Sequence, residues 1–526
     1  MNIRQSILTA LLLVAAPTFA LAANAANAPA AVAATPATAN TEAGIAWFDG
    51  DVDAAFAYAK AHNKPLFLYW GATWCPPCNE VKATIFNRKD FIQRSSFFVP
   101  VHIDGDSPGA QKLGARFKVS GYPTTILFKA DGTEITRLPG EVDAKRYLQT
   151  LGLAMNANHP VKDILKSALT GGKLSEDEWR MLAYYSWDTD EQQLVSNKDL
   201  QATLQKLAKA SPAGDNAKRL ALSALVAATN PKTGDPASVD KAAATKLLSS
   251  VLTNPHAARD NVDLLSGYPT ELVGLVTAVN TPARAQLTAT WDKALSRLDA
   301  DTTLSKADRI SALAAKVSLA RLEKPEGALS PALQNEVRKQ VAIVDKTTTN
   351  PFERHAVIDA SADVLAKAGL LDDSDNLLKA ELKTSHSPYY LMLGLAANAK
   401  TRGDKAAAIS WYEQAYQAAQ GPATRLQWGV TYLSNLIDLA PQDETRIEKV
   451  SSSVFQELGQ TQNAFYERNR SSLEKLGRKL TAWKTTGHHD ASFGRVQAQL
   501  NGVCSKLPAA DAQRTTCQGL LTPAKV

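Results

Sequence analysis

The residues best suited to chemistry in this 526-residue chain are two cysteines, Cys75 and Cys78, within the segment WCPPC at residues 74–78. The chain holds only two other cysteines, Cys504 and Cys517, which lie far along the sequence. A C-x-x-C pair can serve reversible disulfide exchange, a static disulfide or part of a zinc site. The compartment and the surrounding elements decide among these three.

The first thirty residues indicate export. Arg4 and the amino terminus supply a short positive segment, residues 7–16 are apolar but too few to span a bilayer, and the ALA at residues 20–22 is a small-x-small cleavage site. We therefore predict a signal peptide over residues 1–22, cleaved near Ala22, and a periplasmic protein. The alternative is a buried amino-terminal helix. No later stretch is apolar enough to predict a membrane span in the mature protein.

Composition bounds the rest of the chain. Residues 23–44 are dominated by alanine, asparagine, proline and threonine, so they are predicted to form a disordered tether that cannot bury enough apolar surface to order itself. The remainder is long enough for two to four domains with their own cores. The net charge of +6 is small, and the basic residues are dispersed without aromatic interleaving, which argues against a nucleic-acid partner.

Helix and strand patterns alternate between residues 45 and 155. The cysteine pair directly follows an apolar run of strand length and opens a helical pattern. The pattern also predicts a hairpin turn at residues 130–132 and an N-cap at Asp143. The predicted helices cover residues 52–63, 76–86, 109–117 and 143–155, and the predicted strands cover residues 65–70, 97–103, 124–129 and 134–138.

Two motifs give this region a resemblance to a known family. WCPPC at residues 74–78 and GYPT at residues 121–124 resemble, in type and order, the motifs of thioredoxin-like proteins. More narrowly, the region resembles exported members that are similar to the soluble reductase domain of membrane thiol:disulfide interchange proteins. The resemblance covers about a fifth of the chain. It implies an α/β thioredoxin-like domain over residues 45–157, a cis peptide bond before Pro123 and no cofactor beyond an external electron partner.

The position of the motif assigns a role to each cysteine. A thiolate at a helix N-terminus faces unpaired amides and the positive end of the helix dipole, so we expect Cys75 to have a lowered pKa and to be the nucleophile. Cys78, one helical turn inward, is the expected resolving thiol that releases a mixed disulfide. Trp74, Tyr122 and Pro123 are expected to form a flat apolar patch for a substrate chain, with plain core packing as the alternative.

Two positions depart from the family pattern. Thioredoxins often carry a buried aspartate six positions before the nucleophile, and Tyr69 stands there; Pro100 stands near the place of the accompanying lysine. Another group or water would then deprotonate Cys78. Glu80 is one candidate, although an exposed helical glutamate is the commoner interpretation. His102 is expected to be a half-buried strand residue rather than an acid or base.

The other uses of a C-x-x-C pair are disfavoured. A structural zinc site needs four ligands, and Cys504 and Cys517 do not form a second C-x-x-C, so no metal is predicted. A static disulfide is disfavoured because a tight ring at a helix start tends to be reactive. Cys504 and Cys517 are instead predicted to form a structural disulfide, worth about 3 kcal/mol in a chain-entropy treatment.

After residue 157, the sequence shows signals for helix starts and no longer shows strand patterns. Ser175 and Glu178 form a capping box, and Asn350-Pro351 pairs an N-cap with proline at the first helical position. Residues 158–526 are therefore predicted to be an all-α array of about fifteen helices. The motifs KAG at 367–369 and TRG at 401–403 are 34 residues apart, which predicts two tetratricopeptide-like repeats over residues 354–420. An irregular helical array is the alternative.

These features predict an exported thiol:disulfide oxidoreductase joined to a helical scaffold. Its partners would be protein thiols and disulfides, together with an unidentified electron donor or acceptor. The alternative is a non-catalytic scaffold that uses a thioredoxin-like domain to dock clients, because helical solenoids usually offer an extended binding surface. The direction of electron flow depends on the reduction potential, which residue types alone do not determine.

Overall fold

The computed structural model describes residues 40–42, 44–119, 121–138, 140, 143–187, 190 and 193–522. The predicted signal peptide and most of the predicted tether lie outside these residues. In the described part of the chain, no helix combines the length and the apolar character that crossing a membrane would require.

The amino-terminal part contains two β-sheets and the helices that cover them. The strands are β1 (Asn40–Glu42), β2 (Ile45–Trp47), β3 (Leu66–Gly71), β4 (Val99–Asp104), β5 (Thr124–Phe128) and β6 (Glu134–Leu138). The helices are α1 (Val52–Ala61), α2 (Pro76–Val81), which continues into a π-helical turn (Lys82–Phe86), α3 (Lys89–Ser95), α4 (Ala110–Phe117) and α5 (Ala144–Met155). β1 pairs with β2, and the central sheet has the order β4-β3-β5-β6. β3 runs parallel to β4, while β5 is antiparallel to both of its neighbours.

The central strand β3 is buried along its whole length because helices cover both faces of the sheet. Leu66, Leu68 and Trp70 pack into a core with α1 and α4. Phe67 and Tyr69 point to the opposite face, into a core that includes α3 and α5. The continuous apolar run before the cysteines therefore marks the strand that fixes their position.

The predicted α/β order is confirmed, with three additional elements, α3, β1 and β2. α3 was not predicted because its seven residues are too few to show a helical period, yet Phe91 packs against Phe67 with ring centroids 5.7 Å apart. β1 lies at the end of the segment predicted to be a disordered tether. Its backbone pairs with β2, whose buried Ile45 and Trp47 supply the apolar contacts that the composition of residues 23–44 lacks.

Helices make up the rest of the chain. They are α6 (Val161–Leu169), α7 (Glu176–Ala183), α8 (Leu200–Ala210), α9 (Asp215–Thr229), α10 (Lys241–Thr253), α11 (Pro255–Asp260), α12 (Val262–Gly267), α13 (Pro269–Val276), α14 (Pro282–Ala300), α15 (Lys306–Glu323), α16 (Pro331–Thr347), α17 (Pro351–Lys367), α18 (Leu371–Glu381), α19 (Pro388–Thr401), α20 (Lys405–Ala418), α21 (Pro422–Leu439), α22 (Glu444–Gln460), α23 (Glu467–Gly487), α24 (Asp490–Cys504) and α25 (Ala512–Gly519). Short 3₁₀ segments occur at Asn197–Asp199 and Pro236–Ser238. The predicted number of about fifteen helices is too low, because α11, α12 and α13 are too short to show a period.

The sequence signals for helix starts are confirmed. The Ser175 hydroxyl accepts from the Glu178 amide at 3.2 Å, and the Glu178 carboxylate accepts from the Ser175 amide at 2.8 Å, which completes the capping box. The Asn350 side chain caps α17, and Asp143 caps α5 by accepting from the Lys145 amide at 3.0 Å.

The 34-residue spacing corresponds to two equivalent helix pairs, α17 with α18 and α19 with α20. Each first helix ends at a glycine in the left-handed region, Gly369 with φ 83° and Gly403 with φ 78°. The Gly369 amide donates to Ala366 O at 2.9 Å, and the Gly403 amide makes the corresponding bond to Lys400 O at 3.0 Å. These matching turns support helical repeats in this part of the array.

A buried network of charges joins the α/β region to the helical region. The Arg146 guanidinium in α5 pairs with Asp260 of α11 and lies 3.2 Å from the Asp143 carboxylate. The Arg146 and Asp143 side chains are only 5% and 4% exposed. Arg259 approaches the same Asp143 carboxylate at 3.2 Å. Buried carboxylates are tolerated here because each has a cationic partner.

Replacing Arg146 by alanine should therefore lower the free energy of unfolding by about 3–5 kcal/mol, because Asp260 would lose its arginine partner and buried Asp143 would keep only Arg259. The matched control is Arg116→Ala, which removes an ion pair to Asp53 whose side chains are 49% and 75% exposed. That change should cost less than about 1 kcal/mol. Urea unfolding of both variants measures the difference, and equal losses would contradict the role given to the network.

Candidate redox site

The cysteine pair lies at the junction between the end of β3 and the start of α2. Cys75 is the N-cap residue of α2, and its sulfur accepts from the Cys78 amide at 3.2 Å. The two cysteines are joined as a disulfide, with Cα atoms 5.2 Å apart. In the reduced protein the same amide can donate to a Cys75 thiolate, and the N-terminus of α2 favours negative charge there. This geometry suits Cys75 as the attacking sulfur.

The loop before β5 lies against the tryptophan of the motif. The peptide bond between Tyr122 and Pro123 is cis, as predicted. The Tyr122 and Trp74 rings are 6.3 Å apart between centroids, and Gln111 donates to the Tyr122 hydroxyl at 2.8 Å. Gly140 approaches Pro123 so closely that a Cβ on it would lie 2.8 Å from Pro123 Cγ. The structure thus brings Trp74 and Tyr122 together beside the cysteines. The role of Pro123 in binding substrate stays a prediction.

Helices of the same chain cover this apolar patch. Trp74 is 7% exposed, Cys75 2% and Cys78 0%. Tyr390 of α19 stacks on Trp74 at 5.8 Å, and Trp428 of α21 packs edge-on at 5.0 Å. The patch expected for a substrate chain is therefore present but occupied. The helical cover is defined here as the residues that make these contacts and the polar contacts described next: His355, His386, Tyr390, Thr424, Trp428 and Arg468.

Two histidines of the helical cover hold the backbone just before Cys75. His355 Nε2 donates to Trp74 O at 2.8 Å, and His386 Nε2 donates to Thr73 O at 3.2 Å. Burial lowers the pKa of His355 to about 4 and also lowers the pKa of His386. Both rings are therefore neutral at pH 7, and each uses its single N–H for a backbone carbonyl.

A buried carboxylate links the tryptophan to the helical cover. Asp106 Oδ2 accepts from Trp74 Nε1 at 3.1 Å and also accepts from the Thr424 hydroxyl of α21. Burial, with a smaller contribution from the nearby Asp104, raises the pKa of Asp106 to about 6 despite these bonds. The Arg468 guanidinium lies 5.3 Å from the Trp74 ring and 5.1 Å from the Tyr122 ring, where it makes cation–π contacts.

Tyr69, Glu80 and His102, which the sequence analysis also singled out, make packing or hydrogen-bond contacts. Tyr69, in the position of the family's aspartate, is fully buried and donates from its hydroxyl to Cys78 O at 3.4 Å. Glu80 is half-buried rather than exposed, and it accepts from the Ser305 hydroxyl at 2.6 Å. His102 is half-buried in β4 beside Tyr69, with ring centroids 5.1 Å apart, as expected.

The second cysteine pair lies at the far end of the helical region. Cys504 of α24 and Cys517 of α25 are joined, with Cα atoms 5.6 Å apart, and are 1% and 0% exposed. All four cysteines of the chain are therefore paired in two separate disulfides. The stabilising role of the Cys504–Cys517 bond stays a prediction.

Sequence reasoning missed Asp106, His355 and His386. Asp106 lies two residues after the end of β4, and Cys75 lies just after the end of the parallel strand β3. Both residues therefore lie at the same edge of the sheet, and this position could have identified Asp106 as a site residue. The histidines lie more than 280 residues from the backbone they contact, and no local pattern relates such distant segments.

Comparison with known proteins agrees with this geometry. A family model for the thioredoxin-like domain matches residues 52–154. The chain is 33% identical over 98 residues to the thiol:disulfide interchange protein DsbD of Yersinia pestis (strain Pestoides F), which covers 18% of this chain and 16% of that protein. It is 34% identical over 96 residues to the chloroplastic thioredoxin Y1 of Arabidopsis thaliana, covering 17% of this chain and 49% of that protein.

Among solved structures, the DsbH oxidoreductase aligns over 24% of this chain and 96% of its own, with 19% identity and a TM-score of 0.20. The region of this chain that is similar to the DsbD relatives spans about a sixth of the length of those proteins. Residues 52–154 form a thioredoxin-like domain that carries a cysteine pair of the thiol:disulfide type, followed by a large helical region.

The raised pKa of Asp106 predicts a pH-dependent stability. An unfolded aspartate ionises near pH 4, whereas folded Asp106 holds its proton up to about pH 6, so its contribution to stability should fall as pH rises through that window. Asp106→Asn keeps an acceptor for Trp74 and Thr424 and cannot ionise. Relative to wild type, the variant should gain up to about 3 kcal/mol in unfolding free energy between pH 4 and pH 7.

Urea unfolding across that pH range measures this gain. Asp131→Asn is the matched control: a bond to the Thr133 amide in an exposed turn lowers the pKa of Asp131, so that carboxylate titrates below pH 4 and its loss should give no pH-dependent gain between pH 4 and pH 7. Parallel stability curves for wild type and Asp106→Asn would show that Asp106 does not titrate as described.

Proposed function

We propose that this protein is an exported thiol:disulfide oxidoreductase that exchanges the Cys75–Cys78 disulfide with protein thiols, and that its helical region restricts access to the pair. The observation that carries the proposal is the placement of Cys75 at the N-cap of α2, bonded to Cys78 and next to the cis Tyr122–Pro123 loop. The relatives named thiol:disulfide interchange proteins support the same class of reaction.

In the reducing direction, a Cys75 thiolate attacks one sulfur of a client disulfide and releases the other sulfur as a thiolate. Cys78 then loses its proton and attacks Cys75, which restores the Cys75–Cys78 disulfide and frees the second client thiol. Two electrons pass from the protein to the client. The reverse sequence oxidises a client dithiol, and an external donor or acceptor resets the pair in either case.

Two independent features support export. The pattern of residues 1–22 is that of a signal peptide, and it lies outside the described residues. The bond between Cys504 and Cys517 pairs two buried cysteines far from the redox site, and such disulfides persist mainly in oxidising compartments.

The burial of Cys75 favours a second candidate, a client-binding protein without redox turnover. With Cys75 only 2% exposed, a client sulfur reaches it only if the helical cover yields or if the client enters beside it. Reduction of insulin by the full chain separates the two candidates, since a scaffold without turnover would not accelerate it.

Trapping tests the roles of the two sulfurs. Cys78→Ser leaves a nucleophile that can form a mixed disulfide but cannot release it, so covalent complexes with protein clients should accumulate in the exported fraction. Cys75→Ser keeps only the inner sulfur and should trap almost nothing. Gels run without reductant measure both variants.

The double variant Cys75→Ser/Cys78→Ser is the control for adducts formed outside the redox pair, because it keeps the Cys504–Cys517 bond. Equal trapping by Cys78→Ser and Cys75→Ser, or none by either, would contradict the assignment of Cys75 as nucleophile.

A further inference from the structure

The backbone carbonyls around Cys75 are hydrogen bonded mainly by the thioredoxin-like domain itself. Ala72 O accepts from the Cys75 amide at 3.2 Å, and Cys75 O accepts from the Asn79 amide at 3.0 Å. Thr73 O accepts from Asn79 Nδ2 at 2.8 Å in addition to its bond from His386. These three carbonyls would therefore keep a donor without the helical region.

The carbonyl of Trp74 is the exception. Among the described residues, the one group that donates to Trp74 O is Nε2 of His355 in α17, at 2.8 Å. Trp74 O belongs to the peptide group whose nitrogen is that of Cys75, so it lies next to the residue that carries the attacking sulfur. The helical region thus supplies a hydrogen bond at the redox motif that residues 52–154 do not supply.

This bond is the only hydrogen bond of the His355 side chain within the described residues. The side chain is 2% exposed, and its Nδ1 has no hydrogen-bond partner there. The ring packs against His386 and Tyr390, with centroids 4.8 Å and 5.7 Å away. Burying an imidazole costs free energy that an apolar side chain of similar size would avoid, so the bond to Trp74 O is what a histidine provides here beyond packing.

Helix packing fixes the position of His355. α17 packs against α2, and the Lys82 ammonium in the turn after α2 lies 5.4 Å from the centroid of the Phe352 ring. Phe352 and His355 are one turn apart on α17 and therefore share a face of that helix. A side chain held on a packed helix is positioned more precisely than one on a loop.

A donor at Trp74 O favours the thiolate form of Cys75. The carbonyl oxygen carries a partial negative charge, and an N–H group directed at it brings the positive end of a dipole close to the sulfur. Because Cys75 is buried, water screens this effect weakly. The same bond holds the peptide group that places the Cys75 sulfur 3.2 Å from the Cys78 amide.

We propose that His355 is a positioning residue for disulfide exchange: by donating to Trp74 O, it holds the peptide group of Cys75 and stabilises the Cys75 thiolate. The helical region would then complete the redox site as well as cover it. The inference rests on the proposed function and deepens it. Since a stabilised thiolate stabilises the reduced form, loss of this bond should make the Cys75 thiol less acidic and the cysteine pair more reducing.

The other charged and titratable groups around the motif are unchanged in the variants compared below. Asp106 accepts from the Trp74 indole, and Arg468 lies over the Trp74 ring. Asp359 lies one turn beyond His355 on α17, and burial raises its pKa to about 7. The remaining groups are Asp104, Lys82, Asp363, Glu381 and His386. A difference between substitutions at position 355 therefore reports the group at that position.

Alkylation of Cys75 by iodoacetamide as a function of pH tests the proposal. The full chain with Cys78→Ser presents one free thiol, because Cys504 and Cys517 stay bonded. In this background, His355→Met fills the site without a donor, and the thiolate fraction below the midpoint pH should fall about three- to tenfold, the effect of one hydrogen bond. His355→Gln keeps an N–H donor and should stay within about twofold of the parent.

The midpoint of this curve is the decisive quantity, because opening of the helical cover changes the height of the curve, whereas the midpoint follows the thiol of the closed protein. The matched control is His386→Met, which removes a bond to Thr73 O, where Asn79 still donates, and should stay within about twofold of the parent. Equal shifts for His355→Met and His386→Met, or no shift in a folded His355→Met protein, would overturn the proposal.

Equilibration with glutathione gives a second measurement on the chain with both redox cysteines. Reduction of the Cys75–Cys78 disulfide oxidises two glutathione thiols to one glutathione disulfide. Above the midpoint pH, His355→Met should shift this equilibrium toward the protein disulfide by the same factor of about three to ten, which corresponds to about 15–30 mV. A shift toward the protein dithiol would overturn the proposal.

If His355→Met does not fold, the reduced Cys78→Ser chain labelled with ¹⁵N-histidine replaces it. The Nε2–H signal of His355 should shift with the midpoint at which Cys75 ionises, and a signal that stays constant through that titration would overturn the proposal. A wild-type chain that is alkylated at Cys75 but exchanges with neither glutathione disulfide nor insulin would instead overturn the proposed function, so the two failures are distinguishable.

Discussion

The packing of Trp74 between the thioredoxin-like domain and the helical region is the interaction on which the rest of the structure depends. Its ring contacts Tyr390 and Trp428, and its indole N–H donates to Asp106, which also binds Thr424. Large aromatic side chains dominate the energetics of such contacts, and each aromatic pair adds about 0.5–1.5 kcal/mol beyond the area it buries. Because Trp74 precedes Cys75, the same contacts that join the two regions also enclose the redox sulfur.

This enclosure has a chemical consequence. His355 and His386 donate to the backbone carbonyls of Trp74 and Thr73, so the segment leading to Cys75 is held by residues distant in sequence. In a dry site, hydrogen bonds and helix-terminus amides act more strongly on a thiolate than they would in water. The reactivity proposed for Cys75 would therefore depend on the whole chain and not on residues 52–154 alone.

The parts of the fold that the sequence predicted are those encoded locally. The apolar run of β3, the proline-bearing start of α2, the hairpin turn ending at Gly132 and the capping box at Ser175 each specify structure within a few residues. The cis bond before Pro123 followed from motif resemblance, whereas the roles of the two cysteines stay predictions from the position of the motif.

The helical cover escaped sequence reasoning for the opposite reason. His355 and Trp428 belong to helices whose patterns indicate only burial, and burial does not identify the partner. Asp106 resembles an ordinary loop aspartate until the fold places it under Trp74. Pairing between segments hundreds of residues apart depends on tertiary packing, which periodicity and capping do not encode.

The most direct test of this account is the rate at which iodoacetamide alkylates Cys75 in the reduced full-length protein, compared with free cysteine at equal thiolate fraction. The enclosed site predicts a rate at least roughly tenfold below that of the free thiol, because the sulfur reacts only when the contacts open. Trp428→Ala should accelerate alkylation, whereas Trp483→Ala, which removes a buried tryptophan that is 5% exposed and bonded to Pro441, should not. Alkylation of the wild-type protein as fast as free cysteine would contradict the account.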